Sequence, residues 1–373
     1  MPSYRTSPST AQRRVALAIL LLGLLALAVA ANAMLLVLAA SAAERFRLEG
    51  PRVEIYNLAG TAELVRGSGS AVEVELTRGG ADAGRLRIET GPIGEARTLR
   101  VLYPGNRVIY GSARWGWGSN TEVGVGEDGR FGSGFGREAL RSRRRVRIAS
   151  RGSGLDAHAD LVIRVPKGVR LAVHLAVGQV EATDVEADLL LDTAAAPVTT
   201  SHTRGPLAID VGSGAVRVSG AEGPLSVDTG SGSVRVEDVR GNQVSLDTGS
   251  GSVAVSGVVA ERLLVDTGSG SVTLEAVRAP EVRVDTGSGG VRAEIAGEVR
   301  SLVVDTGSGS VTVRVPTRID AEVELESGSG GIHTDLPLTD VRRGDSSLRG
   351  RLGEGRGRIR IDTGSGSVRL LSG

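Results

Sequence analysis

The chain contains no cysteine. That absence removes disulfides, thiolate zinc sites and cysteine nucleophiles together. Histidine is scarce: His158, His174, His202 and His333 are scattered along 373 residues. Neither a histidine metal cluster nor a Ser-His-Asp triad is indicated. Lys167 is the only lysine, so arginine carries nearly all the positive charge. An excess of one charge sign is missing too, with 44 basic residues against 43 acidic ones. A whole-chain polyanion binder is not expected from that balance. Aromatics make up 2% of the chain, and all of them precede residue 136. Ordinary cores draw much of their buried area from aromatic rings. Residues 136–373 must bury surface another way, and stacked aliphatic repeats do so. What is abundant is glycine, 54 residues, twice the usual ~7%.

One long hydrophobic run exists. Val15 to Ala40 is apolar apart from Gly23 and Asn32. Helical rise of 1.5 Å per residue gives it about 39 Å, longer than the ~30 Å hydrocarbon core. A cleaved signal peptide has a shorter apolar core, about 7–15 residues. Small-x-small sites at Ala28–Ala30, Ala31–Ala33 and Ala40–Ala42 keep cleavage open as the alternative. The expectation is one N-terminal transmembrane helix acting as a signal-anchor over 15–41, with 1–14 as a cytoplasmic tail. Residues 42–373 are expected outside the membrane, or secreted if the segment is cleaved.

The strongest signal is a repeat. Asp-Thr-Gly-Ser-Gly begins at Asp228, Asp247, Asp266, Asp285, Asp305 and Asp362. Looser copies begin at Asp192, Asp210 and Glu326, and His174 fits an earlier one. Spacings from His174 run 18, 18, 18, 19, 19, 19, 20 and 21, then 36. Periods of this size mark solenoids and arrays, and they outrank local motifs. In one unit, Leu302, Val304, Thr306, Val311, Val313 and Val315 alternate as inward positions, leaving Asp305 and Ser301 outside. Gly307-Ser308-Gly309 turns between two strands. Two strands and two turns fill a coil of about 19 residues, and stacking at about 4.8 Å lets each coil cover its neighbour's aliphatic face. The fold class expected is all-β, a single-stacked parallel β-solenoid (β-helix) over 151–373. Glycine at the corner is expected to supply positive φ.

Four chemistries fit the repeated motif. Asp-Thr-Gly-Ser resembles the aspartic protease motif, but paired carboxylates sharing a proton need two copies brought together, not six at constant spacing. Calcium is the ligand reading: Asp210, Asp228, Asp247, Asp266, Asp285 and Asp305 would form a cation ladder of oxygen ligands. No other cofactor is indicated. The structural reading has Asp accepting hydrogen bonds from turn N–H groups, with Thr and Ser hydroxyls bonding along the stack. Arg217, Arg235, Arg292 and Arg369 follow an Asp by seven residues and could offset its charge. The fourth reading is a polar face that binds a polymer or a second solenoid.

Before the repeats, 42–104 reads as a β-rich segment that starts the same sheet system and covers its end. Residues 105–150 form a Gly/Arg-rich insertion. Its Trp115, Trp117, Phe131 and Phe135 are candidates for a partner or membrane interface. Arg141, Arg143, Arg144 and Arg145 belong to a basic run suited to anionic lipid or an anionic envelope polymer. Nucleic acid is not an expected partner. Near the C-terminus, Leu336 to Arg358 is expected to form an irregular, arginine-rich coil that blocks further edge pairing.

Ala159 to Pro166, Val177-Gly178-Gln179-Val180, the serial Ser-Gly-Ser-Val turns and the ending from Gly350 to Val368 resemble a bacterial family of β-strand-repeat proteins that goes by the name "putative adhesin", a domain of unknown function. The resemblance covers most of 45–373 and implies an envelope-facing, often membrane-anchored β-solenoid without assigned catalytic residues. The 105–145 stretch departs from the family's pattern. The function expected is a membrane-anchored extracytoplasmic solenoid acting in adhesion or envelope scaffolding, with another envelope protein, an envelope polymer or anionic lipid as partner. An envelope-stress accessory or sensor is one alternative. A polysaccharide-acting β-helix enzyme is the other, although the uniform repetition of acids supplies no distinctive cluster for it.

Overall fold

The computed structural model describes residues 43–111, 120–132 and 144–373. Segment 15–41, read as the membrane anchor, lies outside them. Among the described residues no helix is long and apolar enough to cross a membrane. Arg45–Gly373 form one compact unit, and it is built almost wholly of strands.

Each coil contributes two strands that meet at the Gly-Ser corner. The first column includes Leu207–Val211, Leu225–Thr229, Arg240–Thr248, Val259–Thr267, Glu281–Thr286 and Ser301–Thr306, paired in parallel. The second includes Val216–Ser219, Val234–Glu237, Val253–Ser256, Val272–Val277, Val291–Ile295 and Val311–Val315. A third, shorter contact is made by parallel bridges Glu186↔Arg204, Arg204↔Glu222 and Glu222↔Arg240.

Side-chain alternation decides which residues face the core. Leu225, Val244, Leu263, Val282 and Leu302 stack in one buried row, and Val227, Leu246, Val265, Val284 and Val304 in the next. Branched aliphatic side chains stack in such rows without polar atoms that need partners. No coil could bury this surface alone, so stability comes from neighbours. Where the second column ends, a row of residues takes left-handed backbone: Asp184, His202, Gly220, Asp238, Gly257 and Ala276, with φ between 51° and 65°.

Both ends depart from sequence order. Arg52–Arg66 runs through both columns and pairs along its length with Arg170–Thr183. The next level outward comes from two distant segments, Ala96–Leu102 and His158–Val165. Antiparallel strands Arg87–Ile93 and Ala71–Gly79 close it. At the other end, Ser301–Thr306 pairs with Gly357–Thr363, which pairs in turn with Ala321–Ser327. The last coil of the chain is therefore slotted between the two coils before it. The stretch expected as an irregular coil is an antiparallel hairpin, Thr339–Arg343 with Ser347–Leu352, laid against Ala321–Ser327. Within the 105–150 stretch, Arg107–Ile109, Asn120–Val125 and Arg144–Ala149 join Leu155–Asp156 in a separate four-stranded sheet.

Candidate functional site: an aspartate column and its covered end

The register places Asp192, Asp210, Asp228, Asp247, Asp266, Asp285, Asp305 and Asp362 in one column, closed by Glu326. Parallel strands put successive carboxylates about 4.8 Å apart along the backbone. From Asp210 to Asp362 they face outward, because the neighbours on either side of each Asp are core residues, whereas Asp192 is buried. Burial raises the Asp247 carboxyl above its ordinary range, and the charges of Asp228 and Asp266 add to the shift. Asp305 is raised by burial first, then by Asp285 and Asp362.

Compensation is sparse. Arg283 reaches Asp285 at 3.5 Å and Arg360 reaches Asp362 at 3.5 Å. Arg235, expected to offset an Asp, pairs with Glu237 of its own strand at 3.2 Å. Among the described residues, no three His, Asp or Glu side chains gather at one point as a metal site. The six aspartates singled out as a cation ladder share a column and do not converge.

The turn chemistry belongs to the threonine, not to the aspartate as the sequence suggested. Thr267 is buried; its Oγ1 accepts from the Gly270 N–H at 3.0 Å and donates to the Gly251 carbonyl of the preceding coil at 3.1 Å. Thr248, Thr286, Thr306 and Thr363 repeat both bonds. Each threonine thus closes its own corner and ties it to the coil beneath. The motif glycines meet a different need from the positive φ expected of them. A Cβ on Gly270 would lie 1.8 Å from the Gly251 carbonyl oxygen, so close stacking of the corners excludes any side chain there.

The column changes character at its N-terminal end. The rung before Asp192 is His174, and before it come Tyr56 and Arg100. His174 Nδ1 lies 3.0 Å from Asp192 Oδ2. The Tyr56 ring stacks on the imidazole, with centroids 4.4 Å apart and planes at 2°. The Tyr56 hydroxyl donates to Glu54 at 2.7 Å, and Glu54 is held by Arg52 at 2.8 Å. Burial and that bond raise the Tyr56 phenol well above its ordinary value.

Phe131 seals this end. It is 3% exposed and meets Tyr56 and His174 edge-on, with centroids 6.0 and 6.4 Å away. A Cβ on the following Gly132 would lie 2.4 Å from Asp192 Oδ2, so the segment rests directly on the pair. Arg100 donates to the Asp128 carbonyl at 3.0 Å, and Arg130 pairs with Asp128 at 2.6 Å, which fixes the approach.

The insertion's candidate residues divide accordingly. Phe131, read as a contact for a partner or membrane, is interior. Arg144 donates to the Tyr103 carbonyl at 3.0 Å and to the Gly105 carbonyl. Arg145 is exposed and lies 3.3 Å from Glu122 on the adjoining strand. Trp115, Trp117, Phe135, Arg141 and Arg143 lie outside the described residues. The Tyr56–His174–Phe131 cluster was not anticipated as a unit. Its one sequence signal is His174 in the column register; Tyr56 and Phe131 come from segments without the repeat.

The repeat, the stacked columns and the Thr-Gly corners extend through a region that matches the family model Toastrack DUF4097 over residues 147–371. The chain belongs to this family, a domain of unknown function with a β-repeat fold. A solved structure from Clostridium sporogenes ATCC 15579, described as a "putative cell adhesion protein", aligns over 89% of this chain and 100% of that one, at 10% identity and a TM-score of 0.20. No curated protein matches the chain.

Proposed function

We propose that this chain is an extracytoplasmic binding or scaffold protein of the cell envelope, held at the membrane by residues 15–41, with adhesion as its leading role. One observation carries the reading. The same outward carboxylate recurs in register from Asp210 to Asp362. A surface that repeats one group at a strand spacing suits an extended or periodic partner. Catalysis instead calls for a few unlike groups aimed at one reacting atom. Within the column, the unlike pair His174 and Asp192 is buried beneath Phe131.

The test is retention of the full-length chain on isolated envelope material, compared with a variant carrying Asp228→Asn, Asp247→Asn and Asp266→Asn. The proposal expects salt-sensitive retention that falls at least tenfold in the triple variant. Equal retention of both proteins would refute the column as the binding face. Protease sensitivity of the C-terminal coil in intact cells tests its placement outside the membrane.

A further inference from the structure

The last coil is held on both sides by parts of the chain made before it. Gly357–Thr363 pairs in parallel with Ser301–Thr306 on one edge and Ala321–Ser327 on the other. Val368–Ser372 lies likewise between Val311–Val315 and Ile332–Thr334. The corner bonds pass through it: Thr363 donates to the Gly309 carbonyl at 2.8 Å, and Ser327 donates to the Gly366 carbonyl at 2.8 Å. Without this coil, Pro316 to Asp320 would leave a slot one coil high, with unpaired backbone on both walls. The slot's walls repeat the corner chemistry found throughout the stack, so its filler is defined by register and not by a unique side chain.

A short link delivers the filler. Leu352 ends the hairpin on one side of Ala321–Ser327, and Gly357 begins the inserted coil on the other side. The intervening turn uses Gly353 and Gly355 at φ 59° and 76°. Asp320 latches it: its carboxylate accepts from the Arg356 backbone N–H at 2.9 Å and from Arg356 Nε at 2.7 Å. These bonds, the backbone one first, hold the Asp320 carboxyl below its ordinary range. Tight hinges that return a terminal element to its own chain are the setting in which exchange between copies is cheap, because the swapped contacts are identical to the native ones.

We propose that Gly357–Ser372 is an exchangeable coil, and that the slot accepts the same segment from a second copy of this chain, joining two molecules through their C-terminal ends. The occupant is a second copy because both walls are in register, strand for strand, with this segment, and a second copy supplies the identical segment. Asp320 and Arg356 set the rate by holding the link closed.

The absence of cysteine makes the test direct. Val303 and Arg360 are in register on adjacent strands and face outward. Adjacent parallel strands place their Cα atoms within disulfide reach. Full-length chains carrying only Val303→Cys are mixed with chains carrying only Arg360→Cys, warmed below the unfolding transition, cooled and oxidised. The expected result is a disulfide-linked heterodimer that grows with concentration and forms at least several-fold faster when both chains carry Asp320→Asn. The double variant in one chain reports whether the pair can link at all. An efficient internal disulfide in that variant, with no heterodimer in the mixture, would overturn the proposal. Equal dimer in either single variant alone would overturn it too, since collision would then explain the product.

Discussion

His174 Nδ1 lies 3.0 Å from Asp192 Oδ2, one coil away in the same column, with Tyr56 stacked on its other side. This pair marks the point where the exposed acidic column becomes a buried polar end. Phe131→Ala should uncover it. Loss of a buried Phe side chain costs about 3–5 kcal/mol, and His174 should become reactive to an acylating reagent that spares it in the wild type. Mass spectrometry of the modified histidines reads the outcome. Unchanged His174 reactivity would mean that Phe131 is not what closes the site.

The threonine corner predicts a specific contrast. Thr267→Val removes the partner of the Gly270 N–H and of the Gly251 carbonyl. A buried group left unpaired costs about 1–3 kcal/mol. Thr267→Ser keeps both bonds and loses one methyl, about 0.8 kcal/mol. Urea unfolding should rank Val below Ser. Gly270→Ala should be worse than either, since its Cβ would meet backbone and not a movable side chain.

Much of this was legible in the sequence, and what was not has physical reasons. The period and the alternation around Asp305 reveal which side chains face the core, because a two-residue strand period leaves no other choice. The division of labour between Asp and Thr is hidden, since both residues suit turns. Glycine's role is hidden too: close stacking and positive φ select the same residue. The inserted last coil is marked only by the 36-residue step. Spacing reports how much chain lies between two rungs, not which rung lies between which. Phe131 carries no periodic signal at all.

Ala276 takes φ 51° in a row otherwise filled by Gly, Asp and His. Left-handed backbone costs an L-residue about 1–2 kcal/mol, and glycine's extra unfolded-state entropy returns about 0.5–1 kcal/mol. Ala276→Gly should therefore stabilise the protein, by up to about 1.5 kcal/mol on those figures. A lower melting temperature for the variant would contradict the strain argument.

The raised carboxyls of Asp247 and Asp305 set a pH dependence. Above the ordinary value of 3.8 the folded state holds their protons more tightly than the unfolded state. Their contribution to stability therefore declines as pH rises through that window and grows as pH falls towards 3.8. Like charges directly opposite one another on a sheet destabilise it. Asp247→Asn with Asp305→Asn should melt higher than the wild type at pH 7, and the gap should close near pH 4. Glu186, Glu281 and Asp320 act in the opposite sense: their lowered carboxyls, held by Lys167, by Arg262 and Arg300, and by Arg356, lose their contribution as pH falls below their ordinary values. A gap that stayed constant from pH 7 to pH 4 would contradict the column's electrostatics.

The central claim is a stack whose rungs are in register and whose last coil lies out of chain order. Ser308, Ser329 and Ser365 are exposed at equivalent corners of three coils. Nitroxide labels on Cys variants of these positions report separation through dipolar broadening in frozen solution. One strand spacing, about 4.8 Å of backbone, separates Ser308 from Ser365, and two separate Ser308 from Ser329. The account predicts strong broadening for the 308/365 pair and weaker broadening for the 308/329 pair. The reverse order would mean that the coils stack in the order of the chain, and that the inserted coil and its slot do not exist.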